Sequence, residues 1–185
     1  HNTASAAFGD FGEEHAVNSR RYYYANITFI DDQVGRIIEA LKQRGMYVNA
    51  VICFTADHGD MLGDHHHWRK TYAYQGSANI PFLFKWPASL KAKIKRGSSL
   101  PHPVELRDFL PTFLDAAGEA VPADMDGESM LKLARNPKSD WREYIDLEHA
   151  TCYEQANYWA ALTDGKMKYI WFFRTGKEQL FDLEN

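Results

Sequence analysis

Five consecutive apolar residues, Ala50-Val51-Ile52-Cys53-Phe54, run directly into Thr55-Ala56-Asp57-His58-Gly59-Asp60. The run is short, and Val51 and Ile52 are β-branched. The pattern predicts a strand over 50–54 buried on both faces, as in a parallel sheet. Upstream, Ile27, Ile30, Val34, Ile37, Ile38 and Leu41 recur three or four positions apart, while Asp31, Asp32, Arg36, Glu39 and Lys42 fill the other side. That period predicts an amphipathic helix over 22–44, ended by Gly45. A helix followed by a buried strand is an α/β arrangement, and open α/β sheets bind ligands just past the carboxyl ends of their strands. Asp57 and His58 stand at that place. Side chains alternate along a strand but can converge on one ion where the backbone turns, and Gly59 allows the turn and a close approach. Lys70 lies at the far end of a loop rich in His, Gly and aromatic residues. Folded back, it would place a positive charge on an anionic substrate.

Residues 1–20 lack any period and read as a loop or extended arm. A second strand is predicted over 80–86, with Pro81 at its start or on an edge. Residues 87–103 read as a surface connection, locally basic through Lys85, Lys91, Lys93, Lys95 and Arg96. The next helix is expected to begin at Asp108 as N-cap, with Pro111 in its first turn and Gly118 after its end. Leu110, Phe113, Leu114 and Ala117 would line its buried side. From Trp141 onward the texture changes. Residues 144–148 alternate, and two apolar runs over 158–163 and 168–173 flank Asp164-Gly165, a hairpin signal. A further strand is expected over 180–183. The domain reading is therefore an α/β part over 1–135 and a small antiparallel subdomain over 136–185.

Composition removes several classes of function. Of 185 residues, 45% are hydrophobic and 25% charged, which suits a folded chain rather than a disordered one. The net charge of −4 is not the basic footprint of a nucleic-acid binder. No run approaches the roughly 18 apolar residues of a membrane-spanning helix, so neither nucleic acid nor membrane is expected as a partner. No basic-then-apolar leader opens the chain, and because it begins at His1 a native start is expected upstream. Cys53 and Cys152 form neither a CxxC pair nor a disulfide framework, and both read as structural.

The order of motifs resembles the sulfatase family of the alkaline-phosphatase-like superfamily. The matching stretches are Tyr24-Ala25 through Ile30-Asp31, Gln33-Val34-Gly35-Arg36, residues 54–65, Lys70, and Ile80-Pro81 leading to Trp86-Pro87. The resemblance continues through residues 108–115, 126–130, 142–148 and 179–183. It implies a partial alkaline-phosphatase-like mixed sheet with flanking helices, followed by a small C-terminal antiparallel sheet. It implies hydrolysis of a sulfate ester on a small molecule or sugar, in the periplasm, outside the cell or in the lysosome. Asp57 and His58 would be ligands of a divalent metal, calcium first and manganese second, since imidazole is a less usual calcium ligand than oxygen. Lys70 would bind the sulfate.

The family's nucleophile is a Cys or Ser matured to formylglycine within Cys/Ser-x-Pro/Ala-x-Arg, and neither cysteine here fits that motif. No catalytic nucleophile is therefore expected in this chain. It is read as a C-terminal portion, inactive alone and with its metal site empty. The unpaired edge of the 50–54 strand would be covered by the arm, by a second copy through self-association, or by aggregation. The alternatives are a phosphonate monoester hydrolase or phosphodiesterase of the same superfamily, and a non-catalytic binding or scaffold module. Asp31-Asp32 evokes the family's paired ligands but falls on the helix, where it reads as a solvated face. His65 is expected to fix the loop, His66 and His67 to be exposed rather than a second metal site, and Trp68, Tyr72 and Tyr74 to pack the loop rather than shape a sugar pocket. Glu148, His149 and His102 are not assigned to the site.

Overall fold

The computed structural model describes residues 8–90, 94–150 and 155–185. Contacts divide the chain into two compact units, His1–Ser89 and Leu90–Asn185.

In the first unit, helix α1 spans Glu13–Gln43. It therefore claims much of the segment expected to be an arm. The start is set locally: Asp10 Oδ1 accepts the Gly12 amide at 2.9 Å, and Gly12 sits at φ 83°. Glu13 and Glu14 then place negative charge on the first turn, where the helix dipole favours it. The far end follows expectation. Gly45, at φ 67°, donates to Lys42 O, and Met46 donates to Leu41 O. No residue of α1 is fully buried, and Ile27, Ile30 and Ile37 are 48%, 50% and 62% exposed.

Strand β1 spans Ile52–Thr55 and strand β2 Phe82–Lys85. They pair antiparallel, with Ile52 opposite Lys85 and Thr55 opposite Phe82. This corrects the parallel neighbour expected from the apolar run. Parallel pairing needs a crossover, usually a helix of useful length, and the connection between these strands holds a 3₁₀ turn at Asp64–His66 and the single-turn helix α2, Gln75–Ala78. Nor is β1 buried on both faces, since Phe54 is 40% exposed. Lys85 Nζ anchors the approach to β1 by donating to the carbonyls of Tyr47, Val48 and Ala50. The unit's core lies in the connection itself: Met61, Trp68, Tyr72, Ala73 and Tyr74 are buried, with Trp86 beside the strand.

In the second unit, a single 3₁₀ turn at Leu106–Asp108 leads into helix α3, Phe109–Ala117. Asp108 is not the side-chain N-cap that its place in the sequence suggests. Its carboxylate points inward, fully buried, and binds Arg142 twice, at 2.6 and 2.7 Å. It also accepts the amides of Glu105 and Glu128. The buried side of α3 differs too: Pro111 and Thr112 are buried, while Leu110 and Phe113 are 55% and 39% exposed. Polar bonds fix that rotation. Thr112 Oγ1 donates to Asp108 O at 2.6 Å and accepts the Met130 amide at 2.9 Å. Helix α4, Leu131–Arg135, follows and buries Leu131 and Leu133.

Strands β3 (Ile145–His149), β4 (Trp159–Thr163), β5 (Met167–Phe172) and β6 (Lys177–Asp182) form one antiparallel sheet in that order. The predicted hairpin turn is present: Gly165 has φ 89°, and Asp164 Oδ1 accepts the amides of Lys166 and Met167. Trp159, Ala161, Lys168 and Ile170 share the buried face. Residues 90–135 group with this sheet. The reason is the Asp108–Arg142 pair, with Arg107–Asp146 beside it, which ties α3 to the chain entering β3. Cys152, Lys91 and Lys93 lie outside the described residues.

Candidate functional site

The strand end gathers three of the residues that the sequence singles out. Beyond Thr55 the backbone turns, and the His58 amide donates to Asp57 Oδ1 at 3.0 Å. The turn needs Gly59: a Cβ there would meet Gly76 O at 2.1 Å, and the Gly59 amide donates to Ser77 O. His58 Nδ1 lies 2.8 Å from Gly59 O. A carbonyl only accepts, so Nδ1 carries the proton, and in the neutral ring Nε2 keeps its lone pair. That lone pair accepts from Lys70 Nζ at 2.9 Å, and Asp57 Oδ2 lies 3.5 Å from the same nitrogen. The Asp57 side chain is 82% exposed, whereas His58 and Lys70 are half-buried. One face of the group thus remains open to solvent.

Lys70 reaches this place because the chain from Asp60 to Arg69 closes on itself. Asp60 Oδ1 accepts the amides of Leu62, at 2.9 Å, and Arg69, at 3.1 Å. The Met61 amide donates to Arg69 O at 2.7 Å. Segment 8–20 backs the loop. Gly9 donates to His66 O, Trp68 Nε1 donates to Gly9 O, and the Arg20 guanidinium donates to Leu62 O. Phe11 and His15 pack against the Trp68 ring. Leu62, His65, His66, Arg69 and Thr71 all have positive φ. Each such residue costs roughly 1–2 kcal/mol, so these ties hold a backbone that would otherwise relax.

The remaining expectations sort plainly. His65 stacks on Tyr74 at 4.3 Å, a contact between two parts of the loop. Trp68, Tyr72 and Tyr74 are buried in the core of the unit. His66 is exposed; His67 is half-buried, its ring 3.9 Å from that of Tyr72 and against Phe8. Asp31 and Asp32 lie exposed on α1. Burial pushes the Cys53 thiol up to about 11, which suits a structural residue rather than a nucleophile. His149 Nδ1 lies 2.8 Å from Asn157 O, and its ring stacks on Trp159. Sequence reading gave Asp60 and Arg20 no part in building the site. Asp60 carried one local signal, an Asp two residues before the amide that it caps.

Asp57 and His58 present an oxygen and a nitrogen of the kinds that bind divalent metals. They fit two positions of a coordination shell. Oδ2 and Nε2 converge, and Nδ1 is committed to a backbone carbonyl, as the second nitrogen of a ligating histidine usually is. Among the described residues no group of three or more His, Cys, Asp or Glu side chains is arranged to hold an ion.

Comparison with known proteins gives the family. The family model "Sulfatase" matches residues 1–119, and "N-sulphoglucosamine sulphohydrolase, C-terminal" matches residues 63–185. An arylsulfatase of Clostridium perfringens is 41% identical over 162 residues, covering 88% of this chain and 33% of that protein. The structure of BT4656 in complex with its substrate D-glucosamine-2-N,6-O-disulfate aligns with a TM-score of 0.78 at 28% identity, over 88% of this chain and 33% of that one. The phosphonate monoester hydrolase of Agrobacterium radiobacter aligns with a TM-score of 0.79 at 26% identity, over 95% and 37%. The chain thus spans about a third of the length of the relatives it matches. The strand end, the loop that returns Lys70 to it and the four-stranded sheet all lie within the matched stretches, and the chain belongs to the sulfatase family.

Proposed function

We propose that the protein of which this chain forms the C-terminal part hydrolyses sulfate esters, and that this chain supplies Lys70 for the sulfate and Asp57 and His58 for a divalent metal, calcium before manganese. The observation that supports this most is the convergence of the three side chains beyond β1, with one face open. A bound metal would polarise the sulfuryl oxygens and the nucleophile. Lys70, held 2.9 Å from His58, presents a cation where negative charge develops as the ester bond breaks. The Gly59 carbonyl keeps the His58 proton on Nδ1, so the lone pair is on Nε2; it accepts from Lys70 here and would turn to a bound metal, releasing the Lys70 ammonium for the sulfate. The nucleophile, a formylglycine by family resemblance, would come from outside this chain, which contains no Cys/Ser-x-Pro/Ala-x-Arg motif. A sulfated sugar or small sulfate ester is the substrate class. This chain alone would be inactive, and self-association through the edge of β1 is one way in which that strand would be covered.

In the full-length protein, Lys70→Ala should lower kcat on 4-nitrophenyl sulfate by about 10²–10³ while the unfolding midpoint stays unchanged. A near-wild-type kcat would return Lys70 to the surface. A second reading, phosphonate monoester hydrolysis, is favoured by the Agrobacterium structure. Parallel assays on 4-nitrophenyl sulfate and on 4-nitrophenyl phenylphosphonate decide between the two.

A further inference from the structure

We propose that Asp60 is a positioning residue that closes the neck of the loop from Asp60 to Arg69 and thereby sets Lys70 against His58. The inference rests on the reading of Lys70 as the sulfate-binding cation and adds the device that aims it. One oxygen, Oδ1, accepts both the Leu62 and the Arg69 amides. The first bond turns the chain outward immediately after Gly59. The second captures it again one residue before Lys70. The Met61 amide on Arg69 O completes the neck. Within the loop, Leu62, His65, His66 and Arg69 hold positive φ, so the backbone has reason to relax once the neck opens. Hydrogen bonds from amides to a carboxylate are among the stronger ones, and here one carboxylate fixes both ends of a loop. An ångström of misplacement at a charged group can cost about 10²-fold in rate. The contact of Asp60 is with backbone amides, so it acts through Lys70 and not on the reacting atoms. An amide oxygen can accept the same two bonds, which separates this role from a need for charge.

The test uses three proteins: wild type, Asp60→Ala and Asp60→Asn. In the full-length protein, amide hydrogen exchange should show Leu62 and Arg69 exchanging at least tenfold faster in Asp60→Ala. The Gly59 amide, bound to Ser77 O, should keep its protection and so report that the unit is still folded. Acetylation of Lys70, followed by mass spectrometry, should accelerate several-fold towards the rate of Lys42, whose side chain is 53% exposed. Asp60→Asn should match wild type in both readouts. In the full-length protein, kcat should fall at least tenfold in Asp60→Ala and recover in Asp60→Asn. Unchanged Lys70 acetylation in Asp60→Ala would overturn the proposal, as would an Asp60→Asn variant as impaired as Asp60→Ala. The exchange and acetylation readouts do not depend on sulfate chemistry. If Lys70→Ala proved harmless, the sulfate reading would fail while the loop-closing role of Asp60 still stood.

Discussion

The two units solve the problem of holding a polar group in place by different means. In Leu90–Asn185 a fully buried carboxylate, Asp108, meets Arg142 in a two-pronged pair and takes two backbone amides as well. All of its bonding capacity is spent on protein. In His1–Ser89 the polar residues at the end of β1 keep an open side: Asp57 is 82% exposed, and Lys70 is held by a single hydrogen bond to an imidazole. Satisfied polar groups fix structure, and partly exposed ones remain available for chemistry. The motifs that carry the family resemblance divide along the same line. Residues 108–115, 126–130 and 142 meet in the clamp of the second unit, where Ser129 Oγ also donates to Asp115 and Arg135 pairs with it. Residues 57–70 build the candidate site.

The contrast breaks if the clamp proves dispensable. Asp108→Ala leaves the half-buried Arg142 with Glu105 as its remaining carboxylate and strands two amides, so it should cost about 3–5 kcal/mol in denaturant unfolding. A loss below 1 kcal/mol would show that the clamp is no more structural than the site.

The next effect concerns Lys168, buried in the sheet at 3% exposure, where burial pushes its pKa down to about 8 from an ordinary 10.5. Between those values the unfolded chain holds a proton that the folded chain has lost. Stability should therefore rise with pH from about 8 to 10.5, by about 1 kcal/mol per pH unit. Lys168→Met should flatten that rise, and the difference between the two stability curves isolates this group from other titrations. Identical slopes would place the charge of Lys168 in solvent.

Two glycines sharpen the comparison at smaller scale. A Cβ at Gly127 would lie 2.0 Å from Arg107 O, and one at Gly59 2.1 Å from Gly76 O. Each Gly→Ala substitution should cost about 1–3 kcal/mol by overpacking. Gly59→Ala should in addition displace His58, visible as shifted imidazole resonances. Gly127→Ala should leave those resonances where they are.

Much of the fold was legible because it rests on local rules. The period of α1, the Gly45 and Gly118 helix ends and the Asp164-Gly165 hairpin follow from side-chain spacing and from the backbone freedom of glycine. The site was legible in part for the same reason: a strand ending in Asp-His-Gly puts Asp57 and His58 side by side whatever surrounds them. Other features were not readable from spacing. Asp108 looks like an N-cap in one dimension, and only Arg142, far along the chain, turns it inward. The apolar side of α3 points outward because Thr112 bonds Met130.

By itself, then, the sequence determined where the chain turns, which residues end its elements and which three side chains carry the candidate chemistry. The tertiary structure alone decided that β1 pairs antiparallel with β2, that Asp60 returns Lys70 to His58, and that Asp108 and Arg142 meet inside the second unit. Local conformation depends on neighbours within a few residues. Strand pairing and buried charge pairing depend on groups brought together across long stretches of chain, and their energies appear only once water has been excluded between them.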